Sequence, residues 1–309
     1  MKTSLKFGFI VFLSLGFNQT RGQNLLNIAD SVAKKGSPPA YQEPTWKDTR
    51  LINAQTTKTA APKSMIFRIM HRFGDMGTPG GGFHTLYGFD VASDIYFSFE
   101  FGITKNLEIG FGRSMQQELL DGMIKYRLLT QKTNEMPVSL AFYGDEGVTP
   151  ELNSVLYANA LSPEQHFNDR LSYISELILD RRFNKIISLE LLGGLSHRNY
   201  LLANINPNNG ATDQSNIPYT GAGGKFSISK HSAIVFDYYY TFSAYRTNST
   251  TYSNAFSIGY EVETGGHVFE INLSNATFIN ENNIIPNTPD SWLNGGFKLG
   301  FSISRAFGI

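Results

Sequence analysis

The 309-residue chain balances 26 Lys and Arg against 26 Asp and Glu, so no global field draws it to nucleic acid, and no nucleic-acid partner is expected. Charged residues are 17% of the chain and aromatic residues 13%, fewer charges than the roughly 25% of soluble domains. No cysteine is present, which excludes a disulfide framework, a thiolate metal site, a cysteine nucleophile and a lipid-modified cysteine.

Lys2 and Lys6 precede an apolar run at 7–17, "FGFIVFLSLGF", too short to span a bilayer as a helix. Thr20 and Gly22 are small enough for a cleavage site, so residues 1–22 read as a signal peptide cut before Gln23. No other run of about 18 apolar residues occurs. Residues 23–62 lack period-two alternation and carry breakers at Pro38, Pro39 and Pro44. They read as a periplasmic N-terminal extension, ordered in part against the mouth of a barrel that begins at residue 63.

From residue 63 apolar and polar residues alternate in segment after segment, which is the strand signal. The first, about 63–73, sets Met65, Phe67, Ile69 and Phe73 against Ser64, Arg68 and Arg72. The second, 94–103, sets Ile95, Phe97, Phe99 and Phe101 against Tyr96, Ser98 and Glu100. The third, 106–114, sets Ile109 and Phe111 against Glu108. The fourth, 119–131, sets Ile124 and Tyr126 against Lys125 and Arg127, and the fifth, 137–145, carries Leu140 and Phe142. The sixth, 170–183, and seventh, 187–198, place Leu177, Leu179, Leu189 and Leu191 opposite Glu176, Asp180 and Glu190. The eighth, 217–229, is weak and rich in glycine. The ninth, 232–243, sets Ile234, Phe236 and Tyr238 against Asp237. The tenth, 254–264, and eleventh, 267–275, set Ile258, Tyr260, Phe269 and Ile271 against Glu261, Glu263 and Glu270. The twelfth, 296–307, sets Leu299, Phe301 and Ile303 against Lys298 and Ser302.

Short connections such as "TKN" (104–106), "NK" (184–185), "KH" (230–231) and "GG" (265–266) alternate with long ones at 74–91, 148–169, 199–216, 244–253 and 276–295. That is the layout of an outer-membrane barrel, with short periplasmic turns and longer outer loops. Strands of about 9 to 13 residues match a tilted crossing of hydrocarbon rather than the 5 to 6 of soluble sheets. A closed barrel also pairs every backbone group without leaving an edge. The expected fold is therefore all-β, a 12-stranded antiparallel transmembrane β-barrel over 63–309, with the phenylalanines facing lipid.

The polar parity supplies the candidate lumen residues Arg68, Arg72, Glu100, Glu108, Lys125, Arg127, Glu176, Asp180, Glu190, Asp237, Glu261, Glu270 and Lys298, with Glu263 beside them. Two readings stay open. These groups pair across the lumen and plug it, a task suited to the planar fork of arginine, or they line a narrow water path with a mild cation bias. His197 lies beside Ser196 and His231 beside Ser232, but neighbours on a strand point to opposite faces. No G-x-S-x-G or H-E-x-x-H motif is present. No catalytic residue, metal site or cofactor is expected. His71 falls on the apolar parity and has no role in this reading.

The segments "WKDTRLINAQTTKT" (46–59), "FRIMHRFGD" (67–75), "FGITKNLEIGFGRS" (101–114) and "DGMIKYRLL" (121–129) resemble a β-barrel family of unknown function found in Bacteroidota. The resemblance implies an outer-membrane barrel and carries no catalytic residues. The functional expectation is a narrow channel or small-molecule-binding barrel with a charged lumen. Its expected partners are outer-membrane lipid and a small solute. The alternatives are an outer-membrane hydrolase acting on lipid and a structural or adhesive barrel acting through its long loops.

Overall fold

A computed structural model describes residues 45–77, 80–156, 158–161, 166–249 and 251–309. The signal peptide expected at 1–22, and the extension as far as residue 44, lie outside the described residues. Twelve strands close into one antiparallel barrel in which each strand pairs with its sequence neighbours and the first pairs with the last. They are β1 (Ser64–Asp75), β2 (Ala92–Gly102), β3 (Leu107–Ser114), β4 (Leu120–Leu129), β5 (Ser139–Val148), β6 (Leu171–Arg182), β7 (Ile187–Arg198), β8 (Asn216–Ser227), β9 (Ser232–Thr241), β10 (Phe256–Thr264), β11 (His267–Ser274) and β12 (Lys298–Gly308). Short turns and long connections occupy opposite ends, apart from the five-residue β3–β4 link at 115–119, which lies at the long-loop end. Two four-residue helices, α1 (Asn153–Leu156) and α2 (Glu281–Ile284), lie in long connections.

The alternation in sequence is the alternation of faces. In β1, Arg68 and Arg72 are buried inside while Met65, Phe67, Ile69 and Phe73 turn outward. Phe111, Ile124, Tyr126, Leu177, Leu191, Tyr260 and Ile271 stand exposed on the outer face of β3, β4, β6, β7, β10 and β11. Neighbouring outer rings touch, with Phe99 5.0 Å from Phe67 and 5.3 Å from Phe111 between centroids. A continuous exposed apolar belt of this kind is a surface built for lipid rather than water. His71 belongs to it, stacked parallel to Phe301 at 5.4 Å and against Phe73 at 4.3 Å.

The interior departs from expectation. The part of the expected extension that is described does not rest at the mouth; Trp46 to Ala60 run inside the barrel. This stretch folds as a hairpin that rises from the short-turn end and returns to it. Arg50 bridges Gln55, Leu51 N–H donates to the Ala54 carbonyl at 2.8 Å, and Thr56 N–H donates to that of Thr49 at 2.9 Å. From the other end, the β11–β12 connection folds inward and buries Ala276 and residues 278–285, α2 included. The lumen is not lined by polar groups alone either. Leu51 and Ile52 at the hairpin tip share one buried cluster with Ile174, Ile178, Leu192, Ile217 and Val235 of the wall and with Phe278, Ile284 and Ile285 of the inward loop. The apolar tip demands apolar partners, and burying one such side chain contributes about 1.5–3 kcal/mol.

Candidate functional site

The candidate site is the contact between wall, hairpin and inward loop. It is built from the short-turn end upward. Trp46 donates its indole N–H to Asp180 at 2.6 Å, and Thr57 donates to the same carboxylate. Lys225, overlooked in the weak β8, donates to the Thr45 carbonyl and lies 5.7 Å from the Trp46 ring. Arg68 grips both oxygens of Asp48 at 2.8 Å and reaches Glu100 at 3.1 Å. Glu100 in turn accepts from the Thr49 hydroxyl at 2.6 Å. Lys125 faces Glu108 across the β3–β4 pair at 3.4 Å and donates to the Thr49 carbonyl at 2.9 Å. Glu108 also accepts the backbone N–H of Ala60. At the tip, Asp237 accepts the backbone N–H groups of Asn53 and Ala54, and the Asn53 amide donates to Ser257 at 2.6 Å.

The hairpin and the inward loop meet at two arginines. Arg72 donates to Asn53 Oδ1 at 2.9 Å and to the carbonyls of Ala276 and Phe278 at 3.0 and 2.6 Å. Arg50 lies 3.7 Å from Glu281 on α2 and 5.3 Å from the centre of the Tyr96 ring. The inward loop is held further by Ile279 N–H on Asp94 at 3.0 Å and by Asn282 on Asp145.

Most of the predicted lumen residues are thus buried within the barrel. Their partners, however, are largely the hairpin rather than groups across an open bore. Glu176 accepts from Tyr219 at 2.9 Å; Glu190 is buried with both carboxylate oxygens lacking a hydrogen-bond partner. Glu261 and Glu270 oppose each other across β10–β11, with Asn272 donating to Glu270 at 2.9 Å. Lys298 sits near the long-loop end between Asp75 and Asp290. Arg127 departs from the set: it is half-buried at the short-turn rim, where it bonds the Lys105 carbonyl. Glu263 is half-buried too and pairs with Lys47 at 3.1 Å. Sequence reasoning missed Asp94, Asp121 and Asp145, although Asp94 shares the parity of Glu100, Asp121 that of Lys125, and Asp145 lies opposite the outward Leu140 and Phe142.

Charge inside is unbalanced. Among the described residues, and setting aside the buried Asp213–Arg246 pair of the long connections, the buried acidic groups are Asp48, Asp94, Glu100, Glu108, Asp121, Asp145, Glu176, Asp180, Glu190, Asp237, Glu261, Glu270 and Glu281. Against these thirteen stand six buried basic groups, Arg50, Arg68, Arg72, Lys125, Lys225 and Lys298, with Lys47 and Lys58 half-buried near the short-turn end. Two acids outside the strands respond in opposite directions. Burial alone would raise the Asp48 carboxyl, but the Arg68 guanidinium outweighs it and holds the group below the ordinary aspartate range. Burial pushes Glu281 up, and Arg50 only partly opposes it.

Neither His197 nor His84 pairs with a nucleophile among the described residues. The His197 ring nitrogens meet Asn216 at 2.7 Å and Asn199 at 2.9 Å, and His84 is exposed in the β1–β2 connection. No group of three His, Asp or Glu among the described residues is placed to hold a metal.

Among solved structures, the NanC porin is similar over 79% of this chain and 100% of its own, at 9% identity and a TM-score of 0.46. The KdgM porin is similar over 79% and 99%, at 8% identity and 0.44. The outer membrane protein Omp33 of Acinetobacter baumannii is similar over 82% and 100%, at 7% identity and 0.39. No curated protein matches the sequence. The family model described as Membrane bound beta barrel domain (DUF5777) matches residues 46–307, from Trp46 of the hairpin to Phe307 of β12, and the chain belongs to that family.

Proposed function

We propose that this membrane-bound barrel resides in an outer membrane and is a plugged channel for small hydrophilic solutes, with a preference for cations. The observation that carries the reading is the interior itself: a wall of buried carboxylates in excess of bases, filled by a hairpin attached through hydrogen bonds and ion pairs. A twelve-stranded wall is wider than its own side chains can fill. Something must occupy it, and here the occupant is a segment joined to β1 only through residues 61–63. The uncompensated carboxylates favour cations over anions once that segment withdraws. The apolar residues 7–17, read as an export signal, and the separation of short turns from long loops support the location. The reading assigns no reaction to the chain.

The test compares planar-bilayer conductance of the mature protein with that of a variant lacking residues 46–57. The intact chain should be nearly silent and the deletion should give stable steps, with reversal potentials in a salt gradient marking cation selectivity. A folded deletion variant that conducts no more than the intact chain overturns the reading.

A further inference from the structure

Where hairpin and inward loop meet, four phenols point into carboxylates. Tyr96 donates to Asp121 at 2.8 Å, Tyr143 to Asp145 at 2.9 Å, Tyr219 to Glu176 at 2.9 Å and Tyr239 to Glu281 at 3.5 Å. The tyrosines come from β2, β5, β8 and β9, so the pairs are spread around the bore. Each phenol occupies one oxygen of its partner; the other oxygens of Asp121 and Glu176, and Oε2 of Glu281, are buried without a hydrogen bond.

Arg50 enters this ring from the hairpin. Its side chain is fully buried, yet none of its three guanidinium nitrogens has a hydrogen-bond acceptor. What holds it is charge and an aromatic face: Glu281 at 3.7 Å and the Tyr96 ring at 5.3 Å. Its positive charge also acts on Asp121, Asp145 and Glu176. An arginine built for permanent attachment makes forked hydrogen bonds to a carboxylate, as Arg68 does to Asp48 on the same hairpin. Arg50 makes none.

We propose that the ring of Tyr96, Tyr143, Tyr219 and Tyr239 with their carboxylates is a binding site for small organic cations of the guanidinium or alkylammonium class, and that Arg50 occupies it as a tethered stand-in. Aromatic faces beside carboxylates are the chemistry that recognises such cations. A free cation that reaches the ring competes with Arg50 and loosens the hairpin tip. This deepens the channel reading and rests on it only in taking the hairpin to be displaceable.

The test uses the full mature chain in detergent micelles, with ethylguanidinium as the probe and ethylurea as its neutral isostere. By calorimetry, Arg50→Ala should bind ethylguanidinium at least tenfold more tightly than the intact chain, and adding Glu281→Gln should remove most of that gain. Ethylurea should bind neither. In a Trp292→Phe background, where Trp46 is the one remaining tryptophan, sub-denaturing ethylguanidinium should shift the emission saturably and ethylurea should not. This second measurement leaves Arg50 in place, so it holds even where Arg50→Ala fails to fold. Ethylurea acting as well as ethylguanidinium would mean that truncation merely opened a hole, and it overturns the proposal, as does a probe that affects nothing. Conductance from the hairpin deletion without cation-selective binding would sink this inference and leave the channel standing. Selective binding without conductance would do the reverse.

Discussion

Arg72 on β1 donates to the carbonyl of Phe278 at 2.6 Å, which ties the barrel wall to a loop that arrives from the far end of the bore. The same guanidinium holds Asn53 at the hairpin tip, so one side chain joins both closures. Arg72→Met keeps much of the length and removes the fork. Each buried acceptor it abandons costs about 1–3 kcal/mol, offset in part because a buried guanidinium is itself costly. The expected result is a modest fall in the urea midpoint of the barrel together with a several-fold rise in open-channel events. A variant that stays as silent as the intact chain would show that Arg72 does not latch the two segments.

The two closures should answer pH in opposite senses. The Asp48 carboxyl is held below its ordinary range by Arg68, despite burial. A depressed group stabilises the fold above its unfolded value of about 3.9 and loses that contribution as pH falls through the folded value. Glu281 is raised by burial. Its contribution is full below about 4.3 and is lost as pH climbs through the folded value. Trp46 emission in the Trp292→Phe background should therefore hold steady in neutral solution and move only in acid below about pH 4. A fluorophore at Asn287→Cys, the only thiol in a chain without cysteine, should instead report loosening of the inward loop as pH rises. Asp48→Asn should flatten the first response and Glu281→Gln the second; either response surviving its own substitution would refute the assignment.

The strands are legible because all but the glycine-rich eighth alternate clearly, and their inward parity follows from where Arg68, Glu100, Lys125 and Asp237 stand. The hairpin is not. Thr49, Asn53, Gln55, Thr56 and Thr57 fall in the extension expected at the barrel mouth and give no sign of burial, because polar residues are usually exposed. Inside a barrel with a polar wall that rule inverts: short hydroxyl and amide side chains satisfy buried carboxylates. Two signals pointed the other way. Residues 46–60 contain no glycine or proline, unlike the connections around them, and β8 carries glycine where its neighbours carry bulk. A glycine on an inward face often marks close approach by another segment, and Leu51 is what approaches Gly223. Arg127 was placed inside by parity alone, which does not say how near the rim a strand position falls.

The outward direction of the phenylalanines is open to direct trial. Phe99 stands between Phe67 and Phe111 on the outer face of adjacent strands. In lipid, Phe99→Arg should cost about 2–4 kcal/mol if the position lies near the bilayer midplane. Urea unfolding from vesicles would read that loss. A soluble barrel with water outside would tolerate the same change within about 0.5 kcal/mol, so a neutral result would remove lipid from that face.

Gly223 offers a way to unseat the hairpin without touching a charge. A Cβ at this position would come within 2.5 Å of Leu51 Cδ1 and 2.6 Å of Glu190 Oε1. Both are ends of flexible side chains, so alanine can be absorbed by small rotations. Leucine adds three more carbons where the tip already packs against Leu192 and Ile217, and overpacking of that size typically costs about 1–3 kcal/mol. The wall is fixed by twelve closed ladders, whereas the tip is the end of a hairpin, so the strain should be relieved by moving Leu51. Gly223→Leu is thus expected to leave the heat-resistant barrel band on a gel intact, to expose Trp46 to a soluble quencher and to raise conductance. Gly223→Ala should do neither. Were the leucine variant to lose the barrel band while Trp46 stayed shielded, the hairpin would be the firmer part and the wall the weaker, the opposite of the order argued from the ladders.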